Sequence, residues 1–409
     1  MNKRISKLKI IKDLSLNIIG SFIMTGITQI IIYPFLSNRL GTIAFGSLLT
    51  LIGLSNAIGV IFGSSLNNIR LLKQHKHEEL GKKGDFRRLL LISQIFIAIS
   101  IILISIIFKG QITVIESITL ILVTIFTMYR VYMNVYYRID LNYTYILLHM
   151  VITAIGYVIG IVLFSFISIW PIVFLCGEIA AFIFALLTTS FKNENYEKTL
   201  LYNETKKEFI QLALSNTMAN LLLYLDRLII NPILGAANVS IYFVASIVGK
   251  TLGIVLQPLS SIILTYISKI EKVNKRKLFT AMVSVIIVFG GISYILSIPI
   301  TPIITKVLYR DSYLQAKPFY NISNLSVILM IMGNLIQPMI LKYCPIIWQS
   351  IVQGIYTITY VFLVIILMNK YGLMGFCIGA AIANLIRLII FLVVGYINVF
   401  NIKIKSKRV

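Results

Sequence analysis

Three basic side chains sit inside runs that otherwise hold almost only Leu, Ile, Val, Met and Ala: Arg227, Lys250 and Arg387. A charge at the centre of a bilayer costs roughly 2.5–3.5 kcal/mol even on lenient insertion scales. Three such charges facing lipid would consume about 7–10 kcal/mol, most of a normal folding stability. At least some of them must therefore be paired or hydrated. Guanidinium and ammonium groups are suited to phosphate and carboxylate oxygens, so the chemistry on offer is attraction of an anionic group within the membrane.

The neighbours of these cations are spaced for one helix face. Asn216, Asn220, Tyr224, Arg227 and Asn231 follow one another at four, four, three and four residues, a single polar stripe on an apolar helix. Tyr242, Ser246, Lys250, Gly253, Gln257 and Ser261 repeat the pattern in the next apolar stretch, and Gln353, Tyr356 and Tyr360 do so near the C-terminus. Arg387 lies one turn from Asn384. Such seams look like walls of a polar cavity. Two acids, Asp226 and Glu178, and one histidine, His149, share these apolar stretches. They admit a second reading, as buried ion pairs that fix helix packing, with Glu178 facing Arg387 and Asp226 pairing across to another helix. Glu178, Asp226 or His149 would also serve proton or sodium coupling. His75 and His77, in the basic stretch HKHEE, read as solvated.

These residues need a membrane scaffold, and the composition supplies one. The chain has 409 residues, 58% of them hydrophobic and only 12% charged, with a mean hydropathy of +0.92. Its apolar residues come in blocks of about 20, the length that crosses a bilayer core. Twelve spans can be drawn, at 14–36, 43–66, 89–108, 112–136, 143–165, 170–191, 209–232, 238–267, 278–298, 319–341, 346–368 and 373–397. Tyr129, Tyr132, Tyr136 and Tyr137 around Arg130 suit an interfacial aromatic belt. Pro299 and Pro302 are expected to end the ninth span, with a short interfacial helix between there and Pro318. The first span follows a basic leader but lacks a cleavage motif, and reads as retained.

The formal net charge of +23 would suggest nucleic acid in a soluble protein. Its distribution argues otherwise. With the N-terminus inside, 28 of the 37 basic residues fall in inner segments, 6 in outer ones and three within spans. That asymmetry fits the positive-inside rule with both termini cytoplasmic, and no nucleic-acid partner is expected. Three scattered cysteines predict neither a disulfide framework nor a metal site, no phosphate-binding loop is present, and no cofactor is implied.

The chain reads as duplicated. Asn17, Ser21, Thr25 and Thr28 plus 199 give Asn216, Asn220, Tyr224 and Arg227, and Pro34 corresponds to Pro232 at 198. Each seam runs through a short turn, SNRLGT or LGAANV, into the next span. The expected fold is thus an all-α polytopic membrane protein of about twelve helices, in two six-helix lobes related by a parallel pseudo-repeat around a polar cavity. The lobes would be 1–208 and 209–409. Four GxxxG pairs, Gly59/Gly63, Gly156/Gly160, Gly249/Gly253 and Gly375/Gly379, predict close helix contacts.

The second-lobe opening YLDRLIINPILGAANVSIYFVAS resembles the polysaccharide transporter family, the Wzx-type flippases. Asp226, Arg227, Leu234, Gly235 and Tyr242 occupy the matching positions, and YPFLSNRLGTIAFG is similar to the family's first outer turn. That family belongs to a superfamily that also holds multidrug extruders and lipid II flippases. The resemblance implies a non-enzymatic transporter in the bacterial cytoplasmic membrane. It would turn undecaprenyl-diphosphate-linked oligosaccharides from inner to outer leaflet for O-antigen or capsule assembly, alongside glycosyltransferases and a glycan polymerase. Arg227, Lys250 and Arg387 would then attract the head group, while Asn216, Asn220, Tyr224, Gln257 and Gln353 bond sugar hydroxyls. A multidrug extruder of the same fold is the alternative. A membrane polymerase is a further one, disfavoured because the longest outer segment, 299–318, holds a single acid, Asp311.

Overall fold

The computed structural model describes residues 7–79, 85–194, 196–253, 275–345 and 347–400, and all regular structure in them is helical. In chain order the helices are α1 (Lys7–Gly26), α2 (Tyr33–Glu79), α3 (Asp85–Ile107), α4 (Val114–Ile139), α5 (Tyr143–Ile167), α6 (Pro171–Thr188) and α7 (Tyr202–Leu223). There follow α8 (Leu225–Leu234), α9 (Ala236–Ala245), α10 (Ile247–Gly253), α11 (Lys275–Leu308), α12 (Tyr313–Ala316), α13 (Tyr320–Tyr343) and α14 (Ile347–Phe400). Gln257 and Ser261 lie outside the described residues.

Among the described residues eight helical stretches are long and apolar enough to cross a membrane, nine if α9 and α10 count as one span. Two of them cannot cross only once. Ser15–Gln74 has 60 residues and Ile351–Phe400 has 50, about 90 and 75 Å of helix against a hydrocarbon core of about 30 Å. The first turns at Gly41 (φ 75°, ψ 172°), the second at Tyr371 and Gly372. With those turns opened and α7–α8 in the seventh place, the helices occupy the twelve stretches expected. The protein is an all-α, multi-pass membrane protein. Its outward faces agree: Ile95, Ile102 and Ile106 on α3 and Val285, Ile292 and Ile303 on α11 are all exposed, as lipid-facing residues must be.

The glycine of the turn after the seventh span, Gly235, has φ 84° and ψ 165°, nearly the dihedrals of Gly41. Only glycine adopts that region freely, so the two Leu-Gly turns share one conformation as well as one sequence.

The chain forms two compact units, Met1–Asn231 and Pro232–Val409. In the first, α5 packs on α6 and α1, and α2 on α4 and α7. Glycines set these approaches: a Cβ on Gly156 would stand 2.6 Å from Gly177 Cα, and one on Gly63 would stand 2.8 Å from Val131 Cβ. In the second unit α13 lies between α11 and α14 over a core that includes Phe279, Ile336, Val352 and Phe391. Gly375 and Gly379 meet the carbonyls of Leu367 and Leu363.

Three sequence expectations are corrected. The tyrosines of α4 form no interfacial belt: Tyr132, Tyr136 and Tyr137 are buried, and their rings pack on Phe191, Tyr145 and His149. Pro299 and Pro302 do not end the ninth span, because α11 runs through both. Hydroxyls of Ser297 and Thr301, bonded to Tyr294 O and Ser297 O at 2.7 Å, support the backbone around them, as membrane helices allow. His77 is buried rather than solvated, 3.1 Å from Asp85 and stacked on Phe86.

Asp85 also takes the backbone N–H and hydroxyl of Thr199, and Arg70 pairs with Glu194 inside a cage of Tyr132, Tyr136 and Phe86. Lys73 reaches Glu204 at 2.9 Å and Glu208 at 3.0 Å. Its hydrogen bond draws the Glu204 carboxyl below the usual glutamate range. The segment linking α6 to α7 is thus fastened to the ends of α2 and α3 by matched charges.

Candidate functional site

The polar seam of the first unit faces α2. Asn216 Nδ2 donates to Ser65 Oγ at 2.9 Å and to Ser64 Oγ at 3.3 Å, while Asn220 Nδ2 donates back to Asn216 O at 2.9 Å. Asn231 Nδ2 donates to Thr50 Oγ1 at 3.0 Å and to Gln111 Oε1 at 3.2 Å. Between them Arg227 lies over the ring of Tyr224 at 5.5 Å and donates from Nη1 to Leu49 O at 2.6 Å. Room for it comes from Gly53, where a Cβ would stand 2.9 Å from that same nitrogen. Tyr33 is beside it. This tyrosine is delivered by a π-helical turn, Ile27–Ile32, just before Pro34. A proline lacks the N–H that would close the preceding turn, and π-turns recur at functional sites.

The helix under Arg227 is broken. α7 stops at Leu223 and α8 restarts at Leu225, so Arg227 stands in the first turn of a new helix. Its own N–H is taken by Tyr224 O at 3.1 Å and by Asp226 Oδ1 at 2.8 Å. Asp226 therefore serves as a first-turn anion, where the helix dipole favours one. Sequence reasoning treated 209–232 as one unbroken span.

A second break underlies Lys250. α9 and α10 meet at Ser246 with a bend of 65°. Ser246 Oγ bonds back to Tyr242 O at 2.8 Å, and the ammonium of Lys250, one turn on, lies 4.7 Å from the Tyr242 ring centre and 5.5 Å from that of Phe243. A break inside a membrane helix strands backbone groups. Asn324 of α13 satisfies them: its Oδ1 accepts the N–H of Gly249 at 2.8 Å and its Nδ2 donates to Ala245 O at 3.0 Å. Sequence reasoning missed Asn324, whose signal was a carboxamide at mid-helix among apolar neighbours.

Arg387 is the third cation, in the second unit with Lys250. It is 6% exposed, 4.9 Å from the Tyr356 ring and 5.3 Å from that of Phe391. Its Nε has no hydrogen-bond partner. Gln353, one turn before Tyr356 on α14, is partly buried, and its carbonyl accepts the Thr357 hydroxyl at 2.9 Å.

Glu178 does not meet Arg387. Its Oε2 accepts from Arg130 Nε at 2.7 Å and its Oε1 from the Tyr157 hydroxyl at 2.8 Å, all inside the first unit. Arg130, assigned by charge counting to an inner segment, is instead a core residue whose neighbours include Met24. His149 lies in the same helix cluster, Nε2 donating to Ala181 O at 3.1 Å and Nδ1 standing 2.9 Å from the Asn134 carboxamide. Glu178 thus has both oxygens engaged by α4 and α5. Among the described residues no group of His, Cys, Asp and Glu is arranged to hold a metal.

No protein-family model matches the chain, and no curated protein sequence does. Solved structures match over nearly its whole length. An outward-facing multidrug resistance MATE family transporter of the MOP superfamily aligns over 96% of each chain at 16% identity, with a TM-score of 0.63. The Vibrio cholerae MATE transporter VcmN in its bent form aligns over 95% of this chain and 97% of its own at 13% identity, TM-score 0.58. The lipid II flippase MurJ, in an inward closed conformation, aligns over 94% of this chain and 86% of its own at 15% identity, TM-score 0.59. The chain has the fold of these membrane transporters and flippases.

Proposed function

We propose that the protein is a flippase. It carries undecaprenyl-diphosphate-linked oligosaccharide repeat units across the bacterial cytoplasmic membrane by alternating access, for O-antigen or capsule assembly. One observation carries this reading: Arg227 and Lys250 each stand within about one turn of a break in a membrane helix. Broken helices near mid-membrane place substrate and ion sites in transporters. Arg130 and Glu178 cancel one another. What remains inside the spans is Arg227, Lys250 and Arg387 against Asp226, a balance that favours an anionic cargo.

In this reading Arg227 and Lys250 take the diphosphate, the Asn, Gln and Tyr seams take sugar hydroxyls, and the lipid tail stays in the bilayer. Lobes 1–208 and 209–409 rock about the cargo. MurJ, by name a lipid II flippase, supports a lipid-linked cargo on this fold. The MATE neighbours support the rival, a multidrug extruder. Exporters of cationic drugs are expected to bury acid rather than base, and the residual charge has the opposite sign.

The test is the leaflet distribution of lipid-linked oligosaccharide in a strain lacking the protein, with surface glycan measured in parallel. Repeat units should collect on the inner leaflet and be released by the wild-type protein but not by Arg227→Gln. Normal glycan with raised drug sensitivity would establish the extruder instead. Unpolymerised units on the outer leaflet would establish a polymerase.

A further inference from the structure

Arg387 is a buried cation without an internal counter-ion. The 178 residues of Pro232–Val409 contain just two acids, Glu271 and Asp311, both outside the predicted spans. No carboxylate of the unit's spans is therefore available to it. The rings of Tyr356 and Phe391 stabilise the guanidinium, but cation–π contacts return less than burial of an ion removes. Its Nε–H is left as a donor without an acceptor.

One turn earlier on the same face, Asn384 presents the complementary group. Its Nδ2 is held by Ser326, at 3.0 Å to the carbonyl and 3.1 Å to the hydroxyl, which fixes the carboxamide. Its Oδ1 is buried and unpartnered, an acceptor without a donor. A free guanidinium donor beside a free amide acceptor matches a ligand that carries both an oxyanion and a hydroxyl. A diphosphate diester has no hydroxyl to give. An acidic sugar has both. Position along the helix excludes an ordinary lipid head group: Arg387 is about 20 Å of helix from either end of the 372–400 segment, well below the depth where head groups lie.

We propose that the second unit carries its own site for an acidic sugar of the cargo, with Arg387 binding the carboxylate or phosphate and Asn384 the adjacent hydroxyl. The assignment deepens the flippase reading and rests on it for the identity of the cargo. The side of the guanidinium away from the rings is open, since a Cβ built on Gly333 stands 3.9 Å from Nη1 and meets nothing closer. A Gly333→Asp substitution would thus supply an internal carboxylate and compete with the ligand.

The experiment uses the full chain in proteoliposomes with undecaprenyl-diphosphate oligosaccharides that differ only in a terminal glucuronate or glucose. Unfolding temperature in detergent is measured with free glucuronate, glucose or inorganic phosphate. Wild type should move the glucuronate cargo at least tenfold faster, and that ratio should fall to about one in Arg387→Gln and in Gly333→Asp. Glucuronate, but not glucose, should raise the unfolding temperature of wild type and of Arg227→Gln, and of neither other variant. Phosphate protecting as well as glucuronate would extend the ligand to sugar phosphates. A ratio of one in wild type, or a ratio or protection that survives Gly333→Asp, overturns the site. If wild type moves neither cargo, the flippase reading fails, and glucuronate protection alone then decides whether the site exists.

Discussion

The carboxamide of Asn324 bridges the broken helix at Gly249, accepting its N–H at 2.8 Å while donating to Ala245 O on the other side of the bend. It bonds Thr301 Oγ1 and Tyr320 O as well, at 3.1 and 2.9 Å. One side chain thereby holds the 65° bend that presents Lys250. Each buried polar group left without its partner costs about 1–3 kcal/mol. Asn324→Ala is therefore expected to destabilise the protein by about 2–4 kcal/mol, more than its lost volume explains. Asn324→Asp, which keeps the acceptor for Gly249, should recover part of that. Thermal unfolding in detergent reads both, and equal destabilisation by the two would contradict the bridging role.

Arg130 and Glu178 test whether a buried pair packs or couples. Removing one partner strands a charge in the core and costs about 3–5 kcal/mol, whereas replacing both with apolar residues is often near neutral. Glu178→Leu and Arg130→Leu should each unfold the protein or lower its stability strongly. The double Leu variant should be more stable than either. Transport retained by the double variant would place coupling elsewhere. Transport lost in a stably folded double variant would give Glu178 a coupling role.

Much of the scaffold was legible because the physics behind it is local. Blocks of about 20 apolar residues, glycines four apart and basic residues gathered between alternate spans each carry their meaning in the sequence. The polar seams were legible as stripes, since helical spacing alone places Asn216, Arg227 and Asn231 on one face. What was not legible depends on partners far along the chain. Nothing around Leu223 or Ser246 resembles a helix break, and the groups that accommodate the second break come from Asn324, about 75 residues away. The Arg130–Glu178 pair was hidden by a rule applied correctly: a basic residue amid tyrosines at a span end reads as interfacial. Burial of its neighbours decided otherwise, and only tertiary packing determines that.

The glycines provide a graded test of close packing. Gly156 approaches Gly177 of α6, and a Cβ there would overlap backbone, which cannot move aside. Gly354 of α14 has nothing within 4 Å of its Cβ position. Overpacking a close contact costs about 1–3 kcal/mol or more. Gly156→Val is expected to lower the yield of folded protein several-fold, while Gly354→Val leaves it near wild type. Size-exclusion profiles of fluorescently tagged protein distinguish the two, and similar profiles would mean that α5 and α6 are not in this contact.

The clasp between the α6–α7 segment and α2 separates buried from exposed electrostatics. Arg70 and Glu194 are 2% and 1% exposed, with the guanidinium 4.3 Å from the Tyr136 ring centre. Glu204, on the outer side of Lys73, is 49% exposed. Both are ion pairs of opposite charge, yet water screens only the second. Glu194→Leu leaves the Arg70 charge enclosed by rings and is expected to cost about 3–5 kcal/mol. Glu204→Gln removes a half-solvated partner and should cost under about 1 kcal/mol. Proteolysis between residues 190 and 208 reads the attachment directly. Cleavage should rise by more than tenfold in Glu194→Leu and stay near wild type in Glu204→Gln. High salt should weaken the wild-type attachment little, because the pair that dominates it is out of reach of ions. Equal sensitivity of the two variants, or release by salt alone, would mean that the surface pairs hold the segment.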